Sequence, residues 1–316
     1  MGMPTLFELF GFVLLVIETL IGMVGNGFIA IVNCIDWFRS RKVSPADMIL
    51  SCLSLFRFAF LATVIQTAII NLFFVDPFLM LKIKIAYDSS WVFLNTANLW
   101  FASWLSVLYC VKIVNFSHPL FLQMKRRFPG LVPWMLLGTV VFSAISINTS
   151  SSCKFLNLLY VVPDFFPFTI FLFSSILLLM SLWRHKNLLQ NSARDVSIEA
   201  HLNAIKALAS FSVLYISKIF VEILSIVLFR MGIYDIGVYF IFLNVMAAYS
   251  SGHALILIFI SPKLKQESVR MLHQLRRKEG RKEGRKECTI VSRLNSKCST
   301  NVGFFLVLCF TFRYPN

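Results

Sequence analysis

The sequence predicts an all-α protein, a bundle of seven transmembrane helices with the N-terminus outside the cell and the C-terminus in the cytoplasm. Three observations predict this fold: the composition, the number of long apolar stretches and the distribution of basic residues. Of 316 residues, 58% are hydrophobic and 14% are charged, whereas soluble proteins average about 45–50% and about 25%. The composition therefore favours a multi-pass membrane protein and argues against a soluble enzyme or a disulfide-stapled secreted domain.

Seven stretches have the length and apolar character of membrane spans, because a helix crosses the hydrocarbon layer with about 20 apolar residues. In chain order they cover residues 9–32, 48–74, 89–114, 131–147, 165–182, 205–229 and 236–260. The fourth and fifth stretches are the shortest, and they flank a polar segment, residues 148–154, that we expect to be a loop.

The orientation follows from the basic residues near the ends of the spans, which are more frequent on the cytoplasmic side. The connections after spans one, three and five together hold ten Lys or Arg, and those after spans two, four and six hold four. The first set therefore faces the cytoplasm. The Asn148-Thr149-Ser150 triplet, an acceptor pattern for N-glycosylation, then falls in an outer loop.

The chain divides into three parts. Residues 1–261 form the transmembrane domain, residues 262–276 form a short helix at the inner membrane surface, and residues 277–316 form a basic tail expected to be disordered. From Pro262 onward there are 13 basic and four acidic residues, and such a segment is attracted to anionic membrane lipid. An ordinary solvated helix is the alternative for residues 262–276.

The sequence predicts no cofactor, no metal and no nucleic acid as a partner. None of the seven Cys forms a CxxC pair, and the five His are not spaced as metal ligands. No catalytic Ser/His/Asp set or phosphate-binding glycine loop is present, so we do not expect an enzyme.

Several motifs, in order along residues 8–266, resemble the type 2 taste receptors, the bitter-taste family of G-protein-coupled receptors. They are GNGFI (25–29), NCIDW (33–37), LWFASWLSVLY (99–109), KIVNFSHP (112–119), SLWRH (181–185), EAH (199–201), AIK (204–206), AAY (247–249), GH (252–253) and PKLKQ (262–266). The resemblance implies a plasma-membrane receptor that binds small bitter compounds in a pocket open to the outside. It also implies activation of a gustducin-type heterotrimeric G protein.

Two other functions share parts of this pattern. A pheromone receptor of the vomeronasal type 1 kind has the same seven-helix plan, but the LSVLY and PKLKQ runs argue against it. A small transporter would need repeated halves with spans broken at matching positions, and seven spans do not divide into two such halves.

Trp91 and Asn95 are the first candidates for ligand binding. They lie four residues apart and so share one face of span three, and the family's pocket resemblance falls on these positions. An indole offers a stacking surface and a carboxamide both donates and accepts hydrogen bonds. The alternative is that Trp91 anchors the membrane interface and Asn95 ties helices together.

Lys218 and Glu222 are the second pair of candidates, one turn apart near the middle of span six. Lys218 departs from the aromatic residue that the resemblance leads us to expect. We predict that it lines the pocket floor and favours acidic or hydrogen-bond-accepting ligands. The alternative is an ion pair that neutralises itself inside the bundle.

Arg57, within span two, is a charge inside the membrane, where an unpaired guanidinium costs several kcal/mol. We therefore expect it to face the bundle and to find partners on Asn26 of span one, on backbone carbonyls or on polar groups of span seven, where His253, Ser250 and Ser251 lie at a compatible depth. This network either biases resting and active arrangements or serves only to hold helices together.

Tyr109 and Lys112, at the cytoplasmic end of span three, are expected to border the G-protein cleft. This expectation comes from the resemblance, since basic residues are also frequent on the inner side without any partner. Two further features depart from the family: span seven lacks the proline after Tyr249, and the outer segment before Asp164 is short. Without the proline, we expect span seven to be straighter.

Overall fold

The computed structural model describes residues 5–40, 44–73, 77–113, 119–152, 162–189, 195–233, 235–271 and 273–274. Seven long helices account for most of them: α1 (Leu6–Ser40), α2 (Pro45–Phe73), α3 (Pro77–Ile113), α4 (Pro119–Ser152), α5 (Val162–Leu189), α6 (Asp195–Arg230) and α7 (Ile236–Ile260). A short helix, α8, follows at residues 262–271. The predicted all-α fold of seven long helices is confirmed.

By length and hydropathy, six helices among the described residues qualify as membrane spans, namely all of the long helices except α3. Helix α3 is less apolar because its buried side chains include Asn95, Thr96, Asn98, Ser103 and Ser106. Polar side chains inside a membrane protein face other helices and bond to them. The polar residues that lower the hydropathy of α3 are therefore the ones that it directs into the bundle.

Neighbouring helices pack in the order α1, α2, α3, α5, α6, α7 and back to α1, with α4 against α2 and α3. One apolar core joins α1, α2, α3 and α7 around Leu15, Leu61 and Phe240. A second joins α2, α3 and α4 around Phe101 and Val132. Helix α3 contributes to both cores, which places its long row of buried polar side chains at the centre of the bundle.

Large apolar side chains are exposed on the outside of this bundle, as expected for a surface in contact with lipid. Trp134 on α4 is 71% exposed, and Val24 on α1 is equally open at 71%. In contrast, Arg57 and Lys218 are fully or almost fully buried. Apolar side chains outside and charged side chains inside are the reverse of the pattern in soluble proteins. This distribution agrees with a protein whose charged groups must find their partners within the bundle.

Several helices extend beyond the predicted spans. Helix α3 begins at Pro77, twelve residues before the predicted start of span three. Helix α4 continues to Ser152, so the prediction that Asn148 lies in a loop is wrong: its backbone belongs to the end of α4. Hydropathy detects only the part of a helix that lies in the lipid, and polar helical ends outside it are missed.

Helix α7 is continuous over 25 residues, which does not test the predicted straightness of this span. Asp235 caps its N-terminus, accepting a hydrogen bond from the backbone N–H of Val238 at 2.8 Å. Gly232, with a φ of +71°, makes the turn after α6, a conformation that glycine adopts without steric cost.

Two compact units are present, Met1–Glu267 and Ser268–Asn316. In the first, Leu264 of α8 is buried against Ile29, Val32 and Ala254. The second unit is described only at residues 268–271 and 273–274. The predicted basic tail, residues 277–316, lies outside the described residues.

Candidate ligand-binding site

Four polar side chains from three helices meet in a buried cluster that we call the charge cluster: Asn95 of α3, Asp164 of α5, and Lys218 and Glu222 of α6. Each is at most 4% exposed. The Lys218 Nζ lies 2.8 Å from Glu222 Oε2 and 4.0 Å from Asp164 Oδ2. The Asn95 amide donates to Asp164 Oδ2 at 2.7 Å and to Glu222 Oε1 at 3.1 Å. One amide group thus bridges both carboxylates of the cluster.

Lys218 and Glu222 meet because they are one turn apart on α6, as the sequence indicated. The ion pair expected from that spacing is present. A second acid, Asp164, also contacts the ammonium from another helix. Two carboxylates therefore surround one lysine.

Asp164 is the residue of this cluster that the sequence analysis did not select. It stands in the first turn of α5, and Thr96 also donates to it, at 3.3 Å. The partial positive charge of a helix N-terminus stabilises a carboxylate in this position. The sequence did offer one indication, an acidic residue at the very start of an apolar span. Such a residue is equally typical of the end of a loop, so it was not predicted as part of the site.

Trp91 belongs to the same face of α3 as Asn95 but to different surroundings. Its ring packs against Phe60 of α2 at 4.8 Å, Tyr87 at 5.7 Å and Phe242 of α7 at 5.5 Å between centroids. Trp91 is 4% exposed. The two predicted ligand-binding positions on α3 therefore face the interior, one in an aromatic cluster and one in the charge cluster.

An aromatic layer centred on Tyr215 of α6 lies beside the charge cluster. The Tyr215 ring packs against Phe171 at 4.5 Å and Phe168 at 5.5 Å, both on α5, and against Tyr249 of α7 at 5.7 Å. Tyr215 is fully buried, and its hydroxyl lies close to Ser103 but makes no hydrogen bond of normal geometry among the described residues.

Arg57 of α2 is fully buried and directs its guanidinium to α7, as predicted. One terminal nitrogen contacts His253 Nδ1, and the other donates to the Tyr249 hydroxyl at 3.0 Å. The guanidinium carbon also lies 5.0 Å from the centre of the Tyr249 ring and 5.8 Å from that of Phe211. The expected partners in span seven are therefore present.

Asn26 reaches α7 separately from Arg57. Its amide donates to the carbonyl of Gly22 at 2.8 Å and to that of Ser250 at 3.4 Å. Of the alternative partners predicted for Arg57, groups of span seven are found among the described residues, and Asn26 is not. The Asn26 amide is already bonded to its own helix and to α7. Asn26 and Arg57 therefore tie α1 and α2 to α7 through separate hydrogen bonds.

At the predicted cytoplasmic side, Tyr109 is partly buried against the core of α2, α3 and α4, and Lys112 is exposed. Lys263 of α8 joins three further groups: Asp36 at 2.7 Å, Asp47 at 3.4 Å and the Asn33 side-chain oxygen at 3.1 Å. Burial alone would lower the pKa of Lys263, but the hydrogen bond to Asp36 and the charge of Asp47 outweigh it and raise the pKa above the ordinary lysine value. This contact fixes the start of α8 to α1 and α2.

Comparison with known proteins gives a consistent result. A family model described as taste receptor protein (TAS2R) matches residues 3–157 and 146–276. The chain is 34% identical over 286 aligned positions to taste receptor type 2 member 8 of Pongo pygmaeus, which covers 81% of this chain and 92% of the relative. It is 33% identical over 291 positions to taste receptor type 2 member 1 of Gorilla gorilla gorilla, covering 83% and 95%. The family resemblance inferred from the motifs is confirmed.

Proposed function

Because the chain belongs to the type 2 taste receptor family, and is therefore a multi-pass membrane receptor and not an enzyme, we propose that it detects small bitter compounds at the plasma membrane and signals through a gustducin-type heterotrimeric G protein. The names of its relatives assign them to taste reception. The finer parts of this proposal, ligand binding and G-protein coupling, are assigned to opposite ends of the bundle.

The proposed ligand site comprises Trp91, Asn95, Lys218 and Glu222. The observation that supports it is the burial of all four side chains between helices, at 1–4% exposure. Lipid-facing polar groups would find no partner, so these side chains serve either the packing of the bundle or a molecule that enters it. Asp164, the third residue of α5, lies towards the predicted outer side, which supports a ligand site that is entered from there.

The proposed G-protein site is at the other end, where Tyr109 and Lys112 close α3. The exposed ammonium of Lys112 follows the buried part of α3 directly. We also place His118, Arg184, His201 and Lys206 here, although only the side chain of Arg184 among them is described, and it is exposed. A basic inner surface is suited to an acidic segment of a G protein.

The experiment that tests the function is calcium imaging of cells that express this chain with a G-protein chimera, challenged with a panel of bitter compounds. At least one compound should give a concentration-dependent signal that cells without the receptor lack. Replacement of the gustducin-type segment of the chimera by one from an unrelated G protein should reduce it. A signal that persists unchanged would contradict the coupling.

The ligand site is tested with Trp91→Ala and Asn95→Ala at matched surface expression. Both should move the response curves, because each removes a group that faces the interior. Trp134→Ala is the matched control, since this indole is 71% exposed on α4 and should leave the curves in place. Unchanged responses of both interior variants to every agonist would remove these residues from the site.

A further inference from the structure

When all its side chains are ionised, the charge cluster carries one more carboxylate than it has ammonium groups. Asp164 and Glu222 contribute two carboxylates and Lys218 contributes one ammonium, all between 1% and 3% exposed. The ammonium lies 2.8 Å from Glu222 but 4.0 Å from Asp164. Lys218 is therefore engaged mainly by Glu222, and Asp164 holds the weaker ion pair.

Asp164 is held in place by neutral groups and not by a cation of its own. Asn95 and Thr96 donate to its two oxygens at 2.7 and 3.3 Å, and the N-terminus of α5 adds a partial positive charge. These contacts orient the carboxylate without neutralising it. A buried carboxylate in this state is stabilised by any cation that can reach it.

A second, independent feature at the same place is the hydroxyl of Tyr215. It is fully buried, and its contact with the Ser103 hydroxyl falls short of a normal hydrogen bond, which is costly for a buried polar group. Tyr215 lies three and seven residues before Lys218 and Glu222, on the same face of α6. A hydroxyl can accept a hydrogen bond from an ammonium, and Lys218, one turn further along α6, already reaches Asp164.

The rings around this point suit an organic cation. Phe168 follows Asp164 by one turn of α5 and packs edge-to-face on Tyr215 with 5.5 Å between centroids. Aromatic faces attract cations, the more so when the site excludes water. Phe168 and Tyr215 thus form an aromatic pair, with one hydroxyl, that lies one turn along α5 and α6 from the Asp164–Lys218 contact.

We propose that the charge cluster makes this receptor selective for protonated amines, with the ligand's ammonium bound between Asp164 and the Tyr215 hydroxyl and its apolar body against Phe168. This proposal rests on the proposed function and names the ligand class of the same site. The ligand's ammonium replaces Lys218 as the cation next to Asp164, while Lys218 keeps its short ion pair with Glu222. The preference for acidic ligands expected from Lys218 alone is reversed, because an anion would approach two carboxylates around one ammonium.

The test compares phenethylamine, phenethyl alcohol and phenylacetate, which share a skeleton and differ in charge, alongside the bitter panel sorted by charge. Binding is measured as the rise in melting temperature of the purified receptor, and signalling by calcium imaging. Phenethylamine should stabilise the receptor more than the other two, and panel agonists should be enriched in amines. If phenethylamine gives no more stabilisation than phenylacetate, the proposal is refuted.

Two variants locate the ammonium. Asp164→Asn should raise the half-maximal concentration for amine agonists about tenfold or more, the size expected for losing a bond to a charged group, with a much smaller change for uncharged agonists. Tyr215→Phe removes only a hydroxyl that makes no normal hydrogen bond and should fold normally, and it should weaken amines by about threefold or more. Asp235→Asn is the matched control, because Asp235 caps α7 and asparagine also caps helices.

The outcomes separate this proposal from the proposed function. Signals from uncharged or anionic compounds alone, with amines inactive, refute amine selectivity and leave the receptor function standing. Silence towards the whole panel contradicts the receptor function, but selective stabilisation by phenethylamine that Asp164→Asn abolishes would still support the amine site. The amine site is also refuted if neither Asp164→Asn nor Tyr215→Phe changes the amine response at normal surface expression.

Discussion

Replacement of Lys218 by methionine tests whether the charge cluster contributes to the stability of the bundle. Lys218→Met keeps the apolar stem but removes the only ammonium within 4.0 Å of Asp164 and Glu222 among the described residues. The two carboxylates then share the Asn95 amide as a donor. Removal of one partner from a buried ion pair costs about 3–5 kcal/mol, and the near-complete burial of all three side chains places this pair in that range.

The expected loss is measurable as a fall in the apparent melting temperature of the detergent-solubilised receptor, followed by fluorescence-detected size exclusion. At roughly 2–4 °C per kcal/mol for a domain of this order of size, the fall should be on the order of 10 °C. The double variant Lys218→Met/Glu222→Gln should recover most of it, because exchange of a whole buried pair for neutral groups is often nearly neutral. A coupling energy of about 2 kcal/mol or more between the two positions follows.

Lys112→Met serves as the control, because this side chain is exposed at the end of α3. A basic residue in the last turn of a helix contributes about 0.3–1 kcal/mol, so the control should lose little. The reasoning fails if Lys218→Met melts within about 2 °C of the unmodified receptor. It also fails if the double variant is less stable than the single one.

Four further predictions concern packing, topology and the inner contacts. Gly22→Ala should lower surface expression and melting temperature, since a methyl group there would lie 2.7 Å from Leu61, whereas Gly138→Ala, with open space around it, should be neutral or stabilising in both measurements. Lys263→Gln should cost no more than about 1 kcal/mol of unfolding free energy in a thermal melt, because the ion pair is partly exposed. The pKa of Lys263 is raised, so the stabilisation by this ion pair is fully present below the ordinary lysine pKa. It is lost only as the pH rises through the raised value. Arg57→Met should reduce the melting temperature by separating α2 from α7, and an unchanged melt would show that its bonds to α7 add nothing. Asn148→Gln should abolish a glycosidase-sensitive mobility shift on gels, and a shift that survives would place the glycan elsewhere.

Much of the bundle could be predicted because a membrane imposes a simple rule on the sequence. The spans follow from the lengths of the apolar stretches, and the burial of Arg57 and Lys218 follows from the cost of a charge in lipid. The Lys218–Glu222 pair follows from the helical period alone. Each of these predictions depends on local sequence or on one energetic term, and each is found in the structure.

The contacts that could not be predicted depend on which helices become neighbours. Asp164 joins Asn95 and Lys218 only after α3, α5 and α6 have packed, and its position at the start of an apolar span does not indicate which side chains it will contact. Asn26 and Arg57 bond to different groups of α7. Which groups they reach likewise depends on tertiary geometry. The early start of α3 was missed for another reason, because residues 77–88 include Lys82, Lys84 and Asp88 and do not read as a membrane span.

The polar side chains also explain how one arrangement of the helices is selected. Apolar surfaces cannot select it, since lipid is as apolar as a leucine side chain, and packing together with interhelical hydrogen bonds must supply the preference. The charge cluster joins α3, α5 and α6, while Arg57 and Asn26 join α2 and α1 to α7. A ligand that binds Asp164 would therefore compete with a bond that positions α5 against α6, so ligand binding and the packing of those two helices use the same carboxylate.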